Sequence, residues 1–184
     1  MCRTRQEAHN ALAVLRSILD ELGLEPKAAK TRIVHLEEGG EGLDFLGFHH
    51  RWVRARGSSK VCFLARWPSR KAMQHARDRI RQLTARSRLL LDVEHIVRDL
   101  NRFLRGWAGY FRYGNSARTF DKIRTYAVSR LALFVAKRHK QHRTYGWKVV
   151  VHLSPNMLGL VNLNGWVAAP RPNRPWRATP NAAR

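Results

Sequence analysis

The 184 residues carry 35 Lys and Arg against 13 Asp and Glu, a formal charge of +22, and 44% of the side chains are apolar. That apolar content is enough for a core, while so large a surplus of one sign repels itself unless a polyanion neutralises it, so nucleic acid is the implied partner. No apolar run approaches the roughly 20 residues that cross a bilayer, and Cys2 and Cys62 form neither a C-x-x-C pair nor a disulfide framework; a membrane-spanning protein and a disulfide-stapled scaffold are excluded, and a cytoplasmic location is expected.

Taken in chain order, residues 6–22 read as an amphipathic helix with Ala11, Val14, Leu15, Ile18, Leu19 and Leu22 on one broad face, ended by Gly23. A polar turn around Pro26 leads to residues 32–36, which have strand composition. Glu37, Glu38 and Glu41 make an acidic turn before a second strand over 43–48. A basic loop over 51–60, with Gly57, Ser58 and Ser59 at its tip, precedes a third strand over 61–65.

At Pro68 the pattern changes. Ser69 is an expected N-cap, and Met73, Ala76, Ile80 and Leu83 recur as a helical core stripe with Arg70, Arg77, Arg81 and Arg88 away from it. Asp92 is placed to cap a central helix whose core stripe is Ile96, Leu100, Phe103, Trp107 and Phe111. Arg98, Arg102, Arg105 and Arg112 recur on another side of the same helix. Gly106 and Gly109 sit inside it although each costs a helix interior roughly 0.8–1 kcal/mol relative to Ala, so either a neighbouring helix or a nucleic-acid backbone is expected to come close there. Gly114 and Asn115 break the helix, Ser116 is placed to cap the next, and Phe120, Ile123, Ala127, Leu131 and Phe134 mark a third stripe to about residue 140. Three helices with short polar links imply an antiparallel bundle. Residues 147–153 read as a strand or a docked extended segment, and the Pro-rich stretch from 154, which lacks acids, is expected to be extended, with 170–184 disordered unless bound.

Chemistry is harder to place. A two-metal polymerase or nuclease needs converging carboxylates, and here the acids are scattered, with Asp20, Glu21, Glu37 and Glu38 at a helix end and a turn. His49 and His50, or His139 and His142, lack the partners of a zinc site. No nucleophile elbow or phosphate-cradling glycine loop occurs. No catalytic residue, metal or cofactor is therefore assigned, and the residues describe a binder.

Several of these residues together resemble a known family. Leu22-Gly23-Leu24, Lys30-Thr31-Arg32-Ile33, Phe45-Leu46-Gly47-Phe48, Leu100-Asn101, Leu104-Arg105-Gly106-Trp107, Tyr110-Phe111 and Gly114-Asn115 are similar, in that order, to the back half of bacterial group II intron reverse transcriptases. The similarity covers residues 1–150 and includes the maturase-specific thumb, or domain X. In that family the catalytic Tyr-X-Asp-Asp turn lies just upstream of a Leu-Cys-Arg-Thr-like stretch, which here is Met1-Cys2-Arg3-Thr4. The resemblance thus implies an α+β chain: residues 1–66 as the end of the palm, an N-terminal helix with a small antiparallel β element; 67–145 as a three-helix thumb; and 146–184 as an extended basic tail. It leaves out the metal-binding aspartates, so DNA synthesis by this chain alone is not expected.

Lys30 and Thr31 match a family position near the end of the palm where a polymerase lysine protonates the pyrophosphate leaving group; without that active site, Lys30 is expected to be a solvated or phosphate-contacting cation. Phe45 to Phe48 match the primer-grip neighbourhood. The implied activity is binding of structured intron RNA or a template-primer duplex in support of splicing, with phosphate contacts from Arg98, Arg102, Arg105 and Arg112, and from Arg118, Arg124, Lys137 and Arg138 on or near the third helix. The alternatives are half of a split RNA-directed DNA polymerase, completed by a separate fragment that carries the aspartates, and a non-functional remnant of such a gene.

Overall fold

The computed structural model describes residues 2, 4–28, 31–55 and 61–168, so the expectations for Lys30, for the tip at Gly57, Ser58 and Ser59, and for disorder over 170–184 lie outside the described residues. The architecture is α+β, with one N-terminal helix, a three-stranded antiparallel sheet in the order β1-β2-β3, and a helical bundle.

Helix α1 (Arg5–Glu21) starts at Thr4, whose hydroxyl accepts the Glu7 amide at 3.1 Å. It ends in a Schellman turn, where Gly23 at φ +68° lets the Leu24 amide reach the Leu19 carbonyl at 2.8 Å. The amphipathic face forms as expected, yet none of its residues is buried, and Val14, Leu15, Ile18 and Leu22 stand exposed.

Residues 32–36 do not form the expected strand. The bridge nearest to them is Glu38 to Trp52, parallel, and Ile33 and Val34 are exposed. Strand composition without a ladder partner does not make a strand. The strand expected over 43–48 is instead a hairpin: β1 (Leu43–Phe45) turns at Leu46 and Gly47, with φ +48° and +77°, into β2 (Phe48–Arg54). Two successive positive φ values are what a tight two-residue hairpin needs to match strand twist. Residues 51–54, read as loop because they are basic, pair with β3 (Cys62–Pro68) in the register Phe48 with Pro68 to Arg54 with Cys62.

The helical stripes come together much as their periodicity implies. Helix α2 (Arg70–Leu83), capped by Ser69 on the Ala72 amide at 3.2 Å, buries Met73, Ala76, Ile80 and Leu83. Helix α4 (Ala117–Arg138) buries Phe120, Ile123, Ala127, Leu131 and Phe134. Helix α3 (Val93–Phe111) packs against both and buries Ile96, Val97, Leu100, Leu104, Trp107, Ala108 and Phe111, while Phe103 is only half-buried. A helix packed from two sides buries a broader arc than a single stripe, which brings in Leu104 and Val97. Asp92 and Ser116 occupy the N-cap positions but make no capping bond with their side chains: Asp92 accepts from Arg138, and the Ser116 hydroxyl donates to the Phe111 carbonyl.

The segment expected to be extended from residue 146 is helical as far as residue 152, while residues 160–168 run without helix or strand. Helix α5 (Arg143–Trp147) runs into a π-helical turn (Lys148–His152), and Gly146 sits so close under α4 that a Cβ would stand 1.9 Å from the Ala132 carbonyl oxygen. Val150, Leu160 and Leu163 complete the core, and the Ala168 amide donates to the Arg112 carbonyl at 2.8 Å. Burial of three aliphatic side chains, about 1.5–3 kcal/mol each, holds this segment against the bundle. No helix among the described residues is long and apolar enough to cross a membrane.

Candidate nucleic-acid interface

The outward face of α3 carries the first set of expected contacts. Arg98, Arg102 and Arg105 are exposed and, with Asn101, line a shallow groove of about 360 Å³. Arg112 follows at the C-terminal cap, its guanidinium 5.4 Å from the centre of the Tyr113 ring. At 1.5 Å per residue, Arg98 to Arg112 span about 21 Å along the axis. Among the described residues, none of these four guanidiniums makes an intramolecular hydrogen bond or ion pair. They are long, always charged and held on a rigid helix, which suits them to phosphate contacts.

Gly106 and Gly109 lie beside that row. Neither meets a neighbouring helix, since a Cβ at either position would find no atom within 4 Å among the described residues.

On α4 the structure separates cations that their spacing makes look alike. Arg118 and Lys137 are exposed and without a side-chain partner among the described residues. Arg124 is half-buried, 3.8 Å from the Met157 sulfur and 3.9 Å from Asp121. Arg138 is tied to the fold: it donates to the carbonyls of Leu89 (2.8 Å) and Leu91 and to the Asp92 carboxylate (3.1 Å). It thereby anchors the link between α2 and α3 to the end of α4.

The family-motif residues assemble into a joint between sheet and bundle. Phe48 packs edge-on against Phe111 with ring centres 4.9 Å apart, and the Tyr110 hydroxyl donates to the Leu46 carbonyl at 2.8 Å. Gly47 accepts the Ser69 amide at 2.8 Å, while Phe45 is exposed. The Asn115 amide donates to the Arg66 carbonyl at 2.6 Å, and a Cβ on Gly114 would stand 2.6 Å from that same oxygen. Trp107 is in the core against Phe111 and Phe120. Asn101 clamps the C-terminal segment, its Nδ2 donating to the Gly159 carbonyl (2.8 Å) and its Oδ1 accepting the Val161 amide (2.7 Å). Thr31 bonds back to the Lys27 carbonyl at 3.1 Å.

A second cationic region escaped the sequence reading. A cleft of about 1000 Å³ between the sheet and the starts of α2 and α4 is lined by Arg32, Arg70, Lys71, Arg77 and Lys122, with Glu41 and Asp44 also on its wall. The off-core position of Arg70 and Arg77 was its only signal. Basic residues in the first turn of α2 oppose the helix dipole, a conflict that a nearby anion relieves. On the same wall, Asp44 is paired across the hairpin with His49 at 2.7 Å. No three His, Cys, Asp or Glu side chains gather as a metal site among the described residues.

Residues 73–150, from within α2 to the π-helical turn, match the family described as the group II intron, maturase-specific domain. No curated protein matches the chain.

Proposed function

Since residues 73–150 constitute a group II intron maturase-specific domain, we propose that this chain binds structured intron RNA through the outer face of α3 and thereby supports splicing, without polymerising DNA on its own. The observation that carries this reading is the row Arg98, Arg102, Arg105 and Arg112, exposed and without an intramolecular hydrogen bond or ion pair among the described residues. Arg118 and Lys137 extend the cationic surface on α4. Guanidiniums grip phosphates, and shape selectivity comes from an A-form surface whose deep major groove side chains do not read. The work is done in the cytoplasm. Anisotropy titration of a labelled group II intron RNA tests the proposal: the wild-type chain binds at moderate salt, and a variant with the four α3 arginines changed to Gln loses most of that affinity. Equal affinity for both would remove α3 from the interface.

A second reading, completion by a separate polymerase fragment, is favoured by α1. Its broad apolar face forms yet leaves Val14, Leu15, Ile18 and Leu22 exposed, which is unusual for a helix outside an interface. Co-expression with a fragment carrying the Tyr-X-Asp-Asp turn would yield a stable complex that extends a primer. Failure of every such mixture to associate would exclude this reading.

A further inference from the structure

The glycines of this fold divide by what surrounds them. Gly146 and Gly114 are required internally, because a Cβ would stand 1.9 Å from the Ala132 carbonyl oxygen and 2.6 Å from that of Arg66. Gly23 and Gly47 adopt positive φ, the left-handed region in which other residues are strained. Gly106 and Gly109 have neither reason: both are helical, and the space over each is open among the described residues. They weaken α3 without serving its packing among the described residues.

Their position supplies the reason. At about 100° per residue, Gly109 falls within the angular range spanned by Arg98, Arg102, Arg105 and Arg112, and Gly106 lies about 40° beyond the edge of that range, between Tyr113 and Asp99. Along the axis they fill the one long gap in the row, the interval between Arg105 and Arg112. We propose that Gly106 and Gly109 form a notch in which the sugar-phosphate backbone of a bound nucleic acid rests against the main chain of α3. Arg102 and Arg105 hold the phosphates before the notch, and Arg112, set over Tyr113, holds the one after it.

The steric argument follows from contact lengths. Charge-assisted bonds from guanidinium to phosphate are about 2.7–2.9 Å and weaken steeply when stretched. A methyl group in the notch holds the strand off the main chain by about a bond length, which weakens the contacts that flank it. The partner is a polyanion, because guanidiniums flank the notch at both ends and Asp99, on the neighbouring flank of α3, is already held by Arg88 at 2.5 Å.

This inference rests on the assignment of the α3 face to RNA, and the experiment separates the two. Gly106→Ala, Gly109→Ala and the double variant of the full chain are compared with the variant in which the four arginines are Gln, using an RNA duplex and a DNA duplex of the same sequence. The notch predicts that the double variant unfolds at a higher temperature than wild type, because Ala is the better helix former, yet binds RNA about tenfold more weakly. Equal loss on both duplexes assigns the contact to the backbone they share, and loss on RNA alone assigns it to the ribose edge. Either result supports the notch. Affinity within about twofold of wild type overturns it, as does a lowered unfolding temperature, which would mean that the glycines serve the fold. If the arginine variant loses binding while the glycine variants do not, the RNA face stands and the notch falls; if neither set changes binding, both fall.

Discussion

The Tyr110 hydroxyl on α3 donates to the Leu46 carbonyl at the tip of the hairpin, 2.8 Å away and 64 residues earlier in the chain. That bond, with Phe48 on Phe111 and Asn115 on Arg66, fixes the sheet to the bundle at the end of the arginine row. Gly114→Ala, which must push against the Arg66 carbonyl, should destabilise the chain by about 1–3 kcal/mol. Tyr110→Phe, which loses one partly exposed hydrogen bond, should cost about 0.5–1.5 kcal/mol. Urea denaturation checks the order, and a Tyr110→Phe loss larger than that of Gly114→Ala contradicts the joint.

Arg138 and Arg98 are both helical cations with opposite expected roles. Arg138→Met leaves the Leu89 and Leu91 carbonyls and the Asp92 carboxylate without their donor. It should lower stability by about 1–3 kcal/mol. Arg98→Gln, on the exposed face, should shift stability by less than about 0.5 kcal/mol while weakening RNA binding. Thermal unfolding and titration of the two variants side by side decide the matter.

Asp99 and His50 contribute to the acid limb of stability. The hydrogen bond from Arg88 holds the Asp99 carboxyl below its ordinary value, so its contribution is present above about pH 4 and is lost as pH falls through the lowered value. Burial, reinforced by the charge of Arg66, holds His50 below its ordinary value. The unfolded chain therefore takes up a proton there first, and stability declines as pH drops below about 6.5 until the lowered value is passed. His50→Gln should flatten the near-neutral part of the profile, and Asp99→Asn the part below about pH 4.

Among the described residues no part of the apolar face of α1 is buried. Leu15→Gln together with Ile18→Gln should change stability by less than about 1 kcal/mol. Loss of several kcal/mol would show that the face is covered by this chain in solution. In the presence of a partner fragment the same pair should abolish association.

The helices were legible in the sequence because their apolar residues recur at a strict period between recognisable ends, as with Met73, Ala76, Ile80 and Leu83 behind Ser69. The hairpin was not. Leu46 at φ +48° is no turn signal, and the basic residues of β2 obscure its alternation. The helical course of residues 143–152 was hidden by β-branched composition, and its cause, the contact of Gly146 with Ala132, joins two distant positions. The exposed arginines of α3 were found by their period. That Arg138 turns inward to carbonyls depends on the path of residues 89–92, which no local pattern encodes.

The central claim is that the α3 arginines contact phosphates, and the salt dependence of RNA binding tests it most directly. The logarithm of the binding constant should fall linearly with the logarithm of salt concentration, and replacing Arg98, Arg102, Arg105 and Arg112 by Gln should reduce that slope by about 3, at roughly 0.7–0.9 per lost contact. An unchanged slope, whatever the change in affinity, would contradict the assignment of this face to RNA.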